Sequence, residues 1–352
     1  MKVSIIIVSY NAKDHLQFCL ESCEKAIEHL EAEIIVIDNC STNQELKSLN
    51  KLFPKVQFHF LDKNIGFAKA NNYGVAKAKG EFILILNPDT IIPEDLFDGL
   101  IKFYLQKENI GLLGVRLIDA NGNFHPESKR NLPTPLNSFS KLFKIGTSST
   151  NTYYKVDIEP EETGMTSILV GAFMFTKKGI YNKVGGFDTR YFMYGEDIDL
   201  SYSVELAGYT NYYKGDQIVL HYKGESTKKD RKYYEIFFEA MNLFIEKYYK
   251  DNWLKLNFMK LGIAFKYYSF ILNLLFIKSN IGEKRVQKNE LYWLKESLEL
   301  STIKEKHIVL STEFFSFKEI LRIIAQNNSP QIFFYIHSHI SNKILGYKGL
   351  IK

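Results

Sequence analysis

A chain of 352 residues that is 45% hydrophobic can bury one large core and still carry an appendage. Its 45 basic and 40 acidic side chains form no concentrated basic stripe, which argues against a nucleic-acid partner. Cys19, Cys23 and Cys40 show no metal-type spacing, so they suit a reduced, cytoplasmic protein, with Cys19 and Cys23 packed one helical turn apart as small apolar residues.

Met1-Lys2 leads directly into Val3–Ser9, an apolar, β-branched run too short for a signal peptide and expected to form a strand buried on both faces. A helix is expected from Asp14 to about Leu30, then a strand over Ile34–Ile37 ending at Asp38. A helix over Gln44–Leu52, a strand over Val56–Leu61, a helix over Gly66–Lys79 and a strand over Phe82–Leu86 follow. This alternation predicts an α/β fold with a mainly parallel, Rossmann-like sheet flanked by helices, and ligands gathered at the carboxyl ends of its strands. Further elements are a helix over Leu96–Leu105, a strand over Gly111–Ile118 and a turn over Asp119–Asn123. A long mobile loop is expected over 133–164, then a strand over Thr166–Thr176, a helix over Gly195–Ala207 and a strand over Gln217–His221.

From Lys229 to Lys278 the pattern is helical. The short basic run Lys228-Lys229-Asp230-Arg231-Lys232 reads either as a solvated helix start or as a contact for anionic lipid or phosphate. Leu256–Ile277 is apolar and aromatic, but Lys260 and Lys266 interrupt it, so it is no clean membrane span. Two readings stay open for it: a core helix, or peripheral membrane contact through 256–277. The tail, 281–352, suggests a small βαβ appendage with strands His307–Leu310 and Gln331–Tyr335 around a helix over Phe317–Ala325. The expected organisation is therefore 1–227, 228–280 and 281–352.

Neither G-x-G-x-x-G nor a P-loop follows the first strand, which ends in Ser9-Tyr10-Asn11. Asp38, at the end of the second strand, is placed to bind a ribose hydroxyl or a base N–H, although acidic turns commonly follow strands. Asn64-Ile65-Gly66-Phe67, with Asn71 and Asn72, is a polar, glycine-containing helix entry suited to close approach of a nucleotide or to capping. Asn87-Pro88-Asp89 sets a carboxylate at the mouth of a buried strand. A second acidic block, Gly185-Gly186-Phe187-Asp188 to Gly195-Glu196-Asp197-Ile198-Asp199, opens a helix, where acids serve either as dipole caps or as catalytic groups. Tyr191, Phe192 and Tyr194 are expected to enclose these acids and raise a pKa.

Taken in order, Val8-Ser9-Tyr10-Asn11, Val36-Ile37-Asp38-Asn39, Asn64-Ile65-Gly66-Phe67, Asn87-Pro88-Asp89, Gly171-Ala172, the Gly-Glu-Asp-Ile-Asp block and His221-Tyr222-Lys223-Gly224-Glu225-Ser226 resemble the family 2 glycosyltransferases of the GT-A fold, and their rhamnosyltransferase-like branch in particular. The resemblance spans roughly residues 1–227. It implies an inverting transferase using a nucleoside-diphosphate sugar of UDP or dTDP type and a divalent cation, Mn²⁺ or Mg²⁺, in surface polysaccharide synthesis. Ser9, Tyr10, Asn11, Asp38, Asn64, Gly66, Phe67, Asn71, Asn87 and Asp89 would meet the donor. Asp89, in a motif whose first acid is here an amide, and His221 would hold the metal. Asp197 is the implied base, with Glu196 the competing assignment. Gly171, Ala172, Arg130 and Asp199 are the expected acceptor-side residues, with Asp199 otherwise supporting the helix. Arg116 and Arg130 are candidates for a diphosphate or a lipid-linked phosphate, or are ordinary surface arginines. The acceptor would be a glycan, free or lipid-linked. The Gln-x-x-Arg-Trp of processive synthases is missing, since Trp253 and Trp293 lie in other contexts. A sugar nucleotidyltransferase and a degenerate, non-catalytic nucleotide-sugar-binding module are the alternatives.

Overall fold

The computed structural model describes residues 1–42, 46–132, 153–223, 230–276, 290–296, 306–329, 331–346 and 349–351. Its first half alternates β1 (Val3–Ser9), α1 (Lys13–Ala26), β2 (Ala32–Asp38), α2 (Leu46–Leu52), β3 (Gln57–Phe60), α3 (Phe67–Lys77) and β4 (Phe82–Leu86). Strands β1, β2 and β4 carry the apolar runs Ile5–Val8, Ile34–Ile37 and Phe82–Leu86 because helices cover both sheet faces, and almost every residue in them is buried. Strand β3 is half-exposed, as befits an edge.

The chain continues through β5 (Thr90–Ile91), α4 (Leu96–Gln106), β6 (Ile110–Ile118), β7 (Thr163–Met165), β8 (Phe173–Lys177), α5 (Lys178–Lys183), α6 (Glu196–Leu206) and β9 (Thr210–His221). These complete a nine-stranded sheet of order β3-β2-β1-β4-β8-β6-β9-β5, with β7 paired to β9. Strands β1, β2, β3, β4, β6 and β9 run one way, while β8, β5 and β7 run against them, so the sheet is mainly parallel.

Three departures from the sequence expectation have local causes. Only Phe173–Lys177 of the strand expected over Thr166–Thr176 joins the sheet. The amides of Thr166, Ile168 and Leu169 bond instead to the Asn211 carbonyl, the Arg130 carbonyl and the Ser201 hydroxyl. Within the loop expected over 133–164, residues 133–152 lie outside the described set, and Thr163–Met165 forms β7 against β9. The strand expected over Gln217–His221 begins earlier, at Thr210, because β6 pairs with β9 from Ile110 onward.

Two further helices, α7 (Arg231–Tyr249) and α8 (Trp253–Phe276), form a hairpin. Asp230 caps α7 through the Tyr233 amide, and Asn252 accepts from the Lys255 amide at the start of α8. The hairpin packs on α6 through Phe238, Phe244, Ile245 and Ile263, with Ile198 and Tyr202 against them.

The tail forms β10 (Tyr292–Leu294), β11 (His307–Ser311), α9 (Phe317–Gln326), β12 (Phe333–Ser338), β13 (Lys343–Gly346) and β14 (Gly349–Ile351) in a separate five-stranded sheet. Strands β11 and β12 are parallel, with α9 as their crossover, and β13 and β14 return antiparallel. Helix α9 starts with a capping box, Ser316 with Glu319. Its first amides, Phe317 and Lys318, donate to the Glu94 carboxylate of the larger domain at 2.7 and 2.8 Å. Leu294, Ile308, Leu310, Ile320 and Ile324 then share one core with Phe18, Ile91, Ile118 and Leu220 of that domain. Ile320→Ala should therefore cost about 2–5 kcal/mol and shift the unfolding of the whole protein as one transition, measured by denaturant titration with probes in both sheets. A tail that melts alone would refute the shared core.

Candidate active site

Strand register assembles the site's rim. Ser9 of β1 lies opposite Asp38 of β2, and Ile7 lies opposite Leu86 of β4, so Asn87 leaves the sheet at the same edge. The Ser9 hydroxyl is buried without a partner among the described residues, and Tyr10 is exposed. Asn11, at φ 55°, accepts from the amide and hydroxyl of Thr42. Asp38 accepts from the Ser41 amide at 2.9 Å.

Asn39 braces the next loop. Its side chain accepts from the Ile65 amide and donates to Asn64, which in turn accepts from the Gly66 amide, each at 2.9 Å. Gly66 has φ +84°, and a Cβ there would stand 2.5 Å from the Phe192 carbonyl oxygen, so no larger residue fits without moving backbone. The same carbonyl accepts from the Phe67 amide at 2.8 Å. The loop before α3 is thereby joined to the loop before the acidic helix. Asn71 donates to the Phe67 carbonyl, while its own Oδ1 is buried and unpartnered among the described residues.

At the other end of the rim, the two-residue strand β5 pairs antiparallel with the end of β9, Thr90 opposite His221. This brings Asp89 Oδ1 within 3.3 Å of His221 Nε2, with Asn87 Nδ2 3.4 Å from the same nitrogen. Burial opposes charge on Asp89, but the facing His221 and His15 outweigh it and hold the carboxyl below its ordinary range. His125 lies edge-on to His221 and is pushed down to about 4, by burial first and then by the neighbouring His221 and Lys223. His15 is also lowered, by burial, against the pull of Asp89 and Asp14.

One carboxylate, one imidazole and an amide converge here, an oxygen-and-nitrogen set that suits Mn²⁺ or Mg²⁺. Among the described residues no group of three or more His, Cys, Asp or Glu gathers as a metal site. Asp89 and His221 can therefore form only part of a coordination shell, and a diphosphate and waters would have to complete it.

Backbone links this end to the acidic helix. The Asn87 amide donates to the Ala172 carbonyl, and the Gly171 amide donates to Asp197 Oδ2 at 3.2 Å. A Cβ on Gly171 would touch Asp197 and Phe67. Asp197 Oδ2 also takes a 2.7 Å bond from Arg130 Nη2, and Asp197 Oδ1 accepts from the Ile198 amide at 2.8 Å. The same Arg130 nitrogen donates to the Leu169 carbonyl at 2.8 Å.

Glu196 has a different environment. Its Oε2 is buried and unpartnered among the described residues, and its pKa is pushed up to about 8, by burial first and then by the adjacent Asp197. At neutral pH it is a protonated acid beside a carboxylate.

Several expected roles change. Arg130 is neither a surface residue nor available to a phosphate, because it is buried and committed to Asp197. Arg116 pairs with Glu161. Asp199 is buried and engaged by Lys247 Nζ at 2.8 Å and the Tyr248 hydroxyl at 2.9 Å, which makes it a strut for α7. Of the aromatics expected to enclose the acids, Tyr191 is buried, Phe192 is exposed, and Tyr194 packs on Tyr233 and Phe237 of α7. No sequence spacing marks His15, His125, Lys247 or Tyr248, which reach the site through tertiary contacts.

A strand-end rim of this kind is expected of a glycosyltransferase, and comparison with known proteins makes the chain one. It belongs to glycosyl transferase family 2, whose family model matches residues 4–185. It is a rhamnosyltransferase-like member. The N-acetylglucosaminyl-diphospho-decaprenol L-rhamnosyltransferase of Mycobacterium tuberculosis H37Rv is 28% identical over 241 residues, 64% of this chain and 78% of that one. The rhamnosyltransferase WbbL of Escherichia coli K12 is 31% identical over 231 residues, 62% of this chain and 83% of that one. Among solved structures, the Pyrobaculum calidifontis mannosyltransferase PcManGT, in complex with GDP-Man and Mn²⁺, aligns with TM-score 0.49 at 14% identity, over 79% of this chain and 76% of that one.

The raised pKa of Glu196 carries a stability consequence. Its folded value of about 8 lies above the ordinary 4.5, so the stability that its protonated form contributes is complete below the lower value and is lost as pH rises through the upper one. Glu196→Gln should therefore gain on the native protein as pH rises from about 5 to about 8, read from denaturant midpoints. A difference that does not change with pH would place Glu196 in a solvated environment.

Proposed function

We propose that the chain is an inverting, metal-dependent, non-processive transferase that moves a single sugar, of the rhamnose class, from a UDP- or dTDP-sugar to a glycan carried on a lipid diphosphate. The observation that carries this reading is the continuous path from the Asp89–His221 pair, through the Asn87, Ala172 and Gly171 backbone, to the Asp197 carboxylate. On this reading the Asp89–His221 end would bind the cation and the Asp197 end would accept the proton. The M. tuberculosis relative acts, by its name, on a diphospho-decaprenol-linked acceptor, which supports the lipid-borne assignment. By the same reading the protein works at the cytoplasmic face of a membrane as a peripheral protein; no described helix is long and apolar enough to cross one.

Asp38, with Ser9, Tyr10 and Asn11, would hold the nucleoside, and the loop Asn64–Phe67 would close against it. Asp89 and His221 would hold a divalent cation, which would supply positive charge to the departing diphosphate. Asp197 takes the proton of the acceptor hydroxyl as that oxygen bonds to the anomeric carbon and the bond from that carbon to the diphosphate oxygen breaks. Arg130 and the Gly171 and Ile198 amides fix the carboxylate's orientation during this step. Glu196, protonated and more deeply buried than Asp197, is suited to donate a hydrogen bond rather than to accept the proton.

Asp197→Asn should lower turnover by about 10²–10⁴-fold while donor affinity stays unchanged, measured by nucleoside-diphosphate release and by calorimetry. Near-normal turnover would remove Asp197 as the base. Asp89→Ala should abolish the difference in donor affinity with and without Mn²⁺, and an undiminished Mn²⁺ dependence would take Asp89 out of the metal site.

A further inference from the structure

Helix α8 has two apolar faces. Ile263, with Leu256, Met259, Tyr267 and Phe270, packs into the α7–α8 core. On the opposite face Leu254, Phe258, Leu261, Phe265, Tyr268 and Leu272 are 57–71% exposed, and Trp253 at the helix start is 67% exposed. Such a run on one face is larger than the scattered apolar residues of an ordinary protein surface and marks an interaction site.

The chemistry of the flanks selects the occupant. Helix α8 contains no acidic residue, and Lys255 and Lys266 border the stripe on one side with Lys260 on the other. Two of their ammonium groups sit over aromatic rings, Lys255 Nζ over Tyr249 at 4.6 Å and Lys266 Nζ over Phe270 at 5.3 Å from the ring centres. Of the three acids on neighbouring α7, Glu246 is paired with Lys260 and Glu235 with Arg231, while Glu239 lines the cleft between α7 and α8. The stripe's spacing of alternate three and four residues also fits a helix pair. A seam between two copies, however, would set phenylalanines at the tight core positions and bring Lys255 of each copy to its edge with no acid on α8 to answer it. Tryptophan, tyrosine and phenylalanine beside lysines match the boundary between lipid headgroups and acyl chains.

We propose that the exposed face of α8 lies in the surface of an anionic bilayer, with Leu254, Leu261 and the aromatic residues among the acyl chains and the lysines at the headgroups. The contact draws its role, though not its chemistry, from the proposed transfer to a lipid-borne acceptor. Helix α7 joins this face to the acidic helix: Lys247 and Tyr248 bind Asp199, two residues from Asp197. At about 8–10 Å between packed helix axes, the bilayer surface then lies two helix layers from the reacting groups. A glycan on a lipid diphosphate can reach Asp197 across that distance while its lipid stays in the membrane.

The test is flotation of the full chain with phosphatidylglycerol or phosphatidylcholine vesicles, beside turnover on a lipid-free acceptor. The native protein should float with phosphatidylglycerol vesicles, and Leu254→Asp with Leu261→Asp should reduce the floating fraction at least about tenfold, with turnover on the lipid-free acceptor unchanged. Lys255→Glu with Lys266→Glu should reduce the preference for phosphatidylglycerol over phosphatidylcholine. Failure of the native protein to float with either vesicle, or equal flotation of the aspartate variant, overturns the proposal. So does a native dimer that the aspartate variant dissociates in a protein that does not float. Flotation without turnover on any sugar donor would remove the transferase reading and leave the membrane surface established.

Discussion

The buried pair of Arg130 and Asp197 holds three separate parts of the chain to one point. Arg130 follows the turn after β6, Gly171 lies on the irregular approach to β8, and Asp197 opens α6; one arginine nitrogen and one carboxylate oxygen join them. A buried charge pair contributes little net stability compared with apolar packing, but removal of one partner leaves the other uncompensated, at a cost of about 3–5 kcal/mol. The pair is therefore better understood as a constraint on geometry than as a source of stability. It keeps Asp197 directed at the rim where the strands end, and it explains why residues 166–172 do not extend as a ladder strand.

The neighbouring acids show how environment separates chemically similar groups. Asp197 has an arginine and two amides as partners, while Glu196, one residue earlier, has burial and a carboxylate for a neighbour. One is thus held in an ion pair and the other is kept protonated. A comparable asymmetry exists at Asn87-Pro88-Asp89, where the amide in place of a first acid leaves Asp89 dependent on a histidine brought from the far end of β9.

Much of this was legible from residue order alone. Strands β1, β2 and β4 contain apolar runs of four or five residues buried on both faces, so their positions and their polar ends, Ser9, Asp38 and Asn87, follow from the pattern. The apolar stretch Ile168-Leu169-Val170 reads equally as a strand, yet its backbone bonds go to Arg130 and Ser201, a choice made by tertiary contact. Strand β5 is too short to have any pattern and exists because β9 is there to pair with it. Arg130 was visible as a residue but not in its role, since the distance of 67 positions to Asp197 closes only in the folded chain. The double-faced nature of α8 was hidden for a related reason: apolar content along a helix shows that surface is available, and only its packing shows which side is already covered.

The contact between the tail and the larger domain bears on how the gene can be cut. Phe18, Ile91, Ile118 and Leu220 are covered by the second sheet and by α9, and Glu94 meets the first amides of that helix. An expression boundary drawn after α8, where the resemblance to other transferases has already ended, would expose this apolar patch to water and leave a carboxylate without its donors. The resulting fragment would carry every residue assigned to the reaction and still tend to aggregate. For this chain the smallest useful unit for crystallisation or labelling runs through β14.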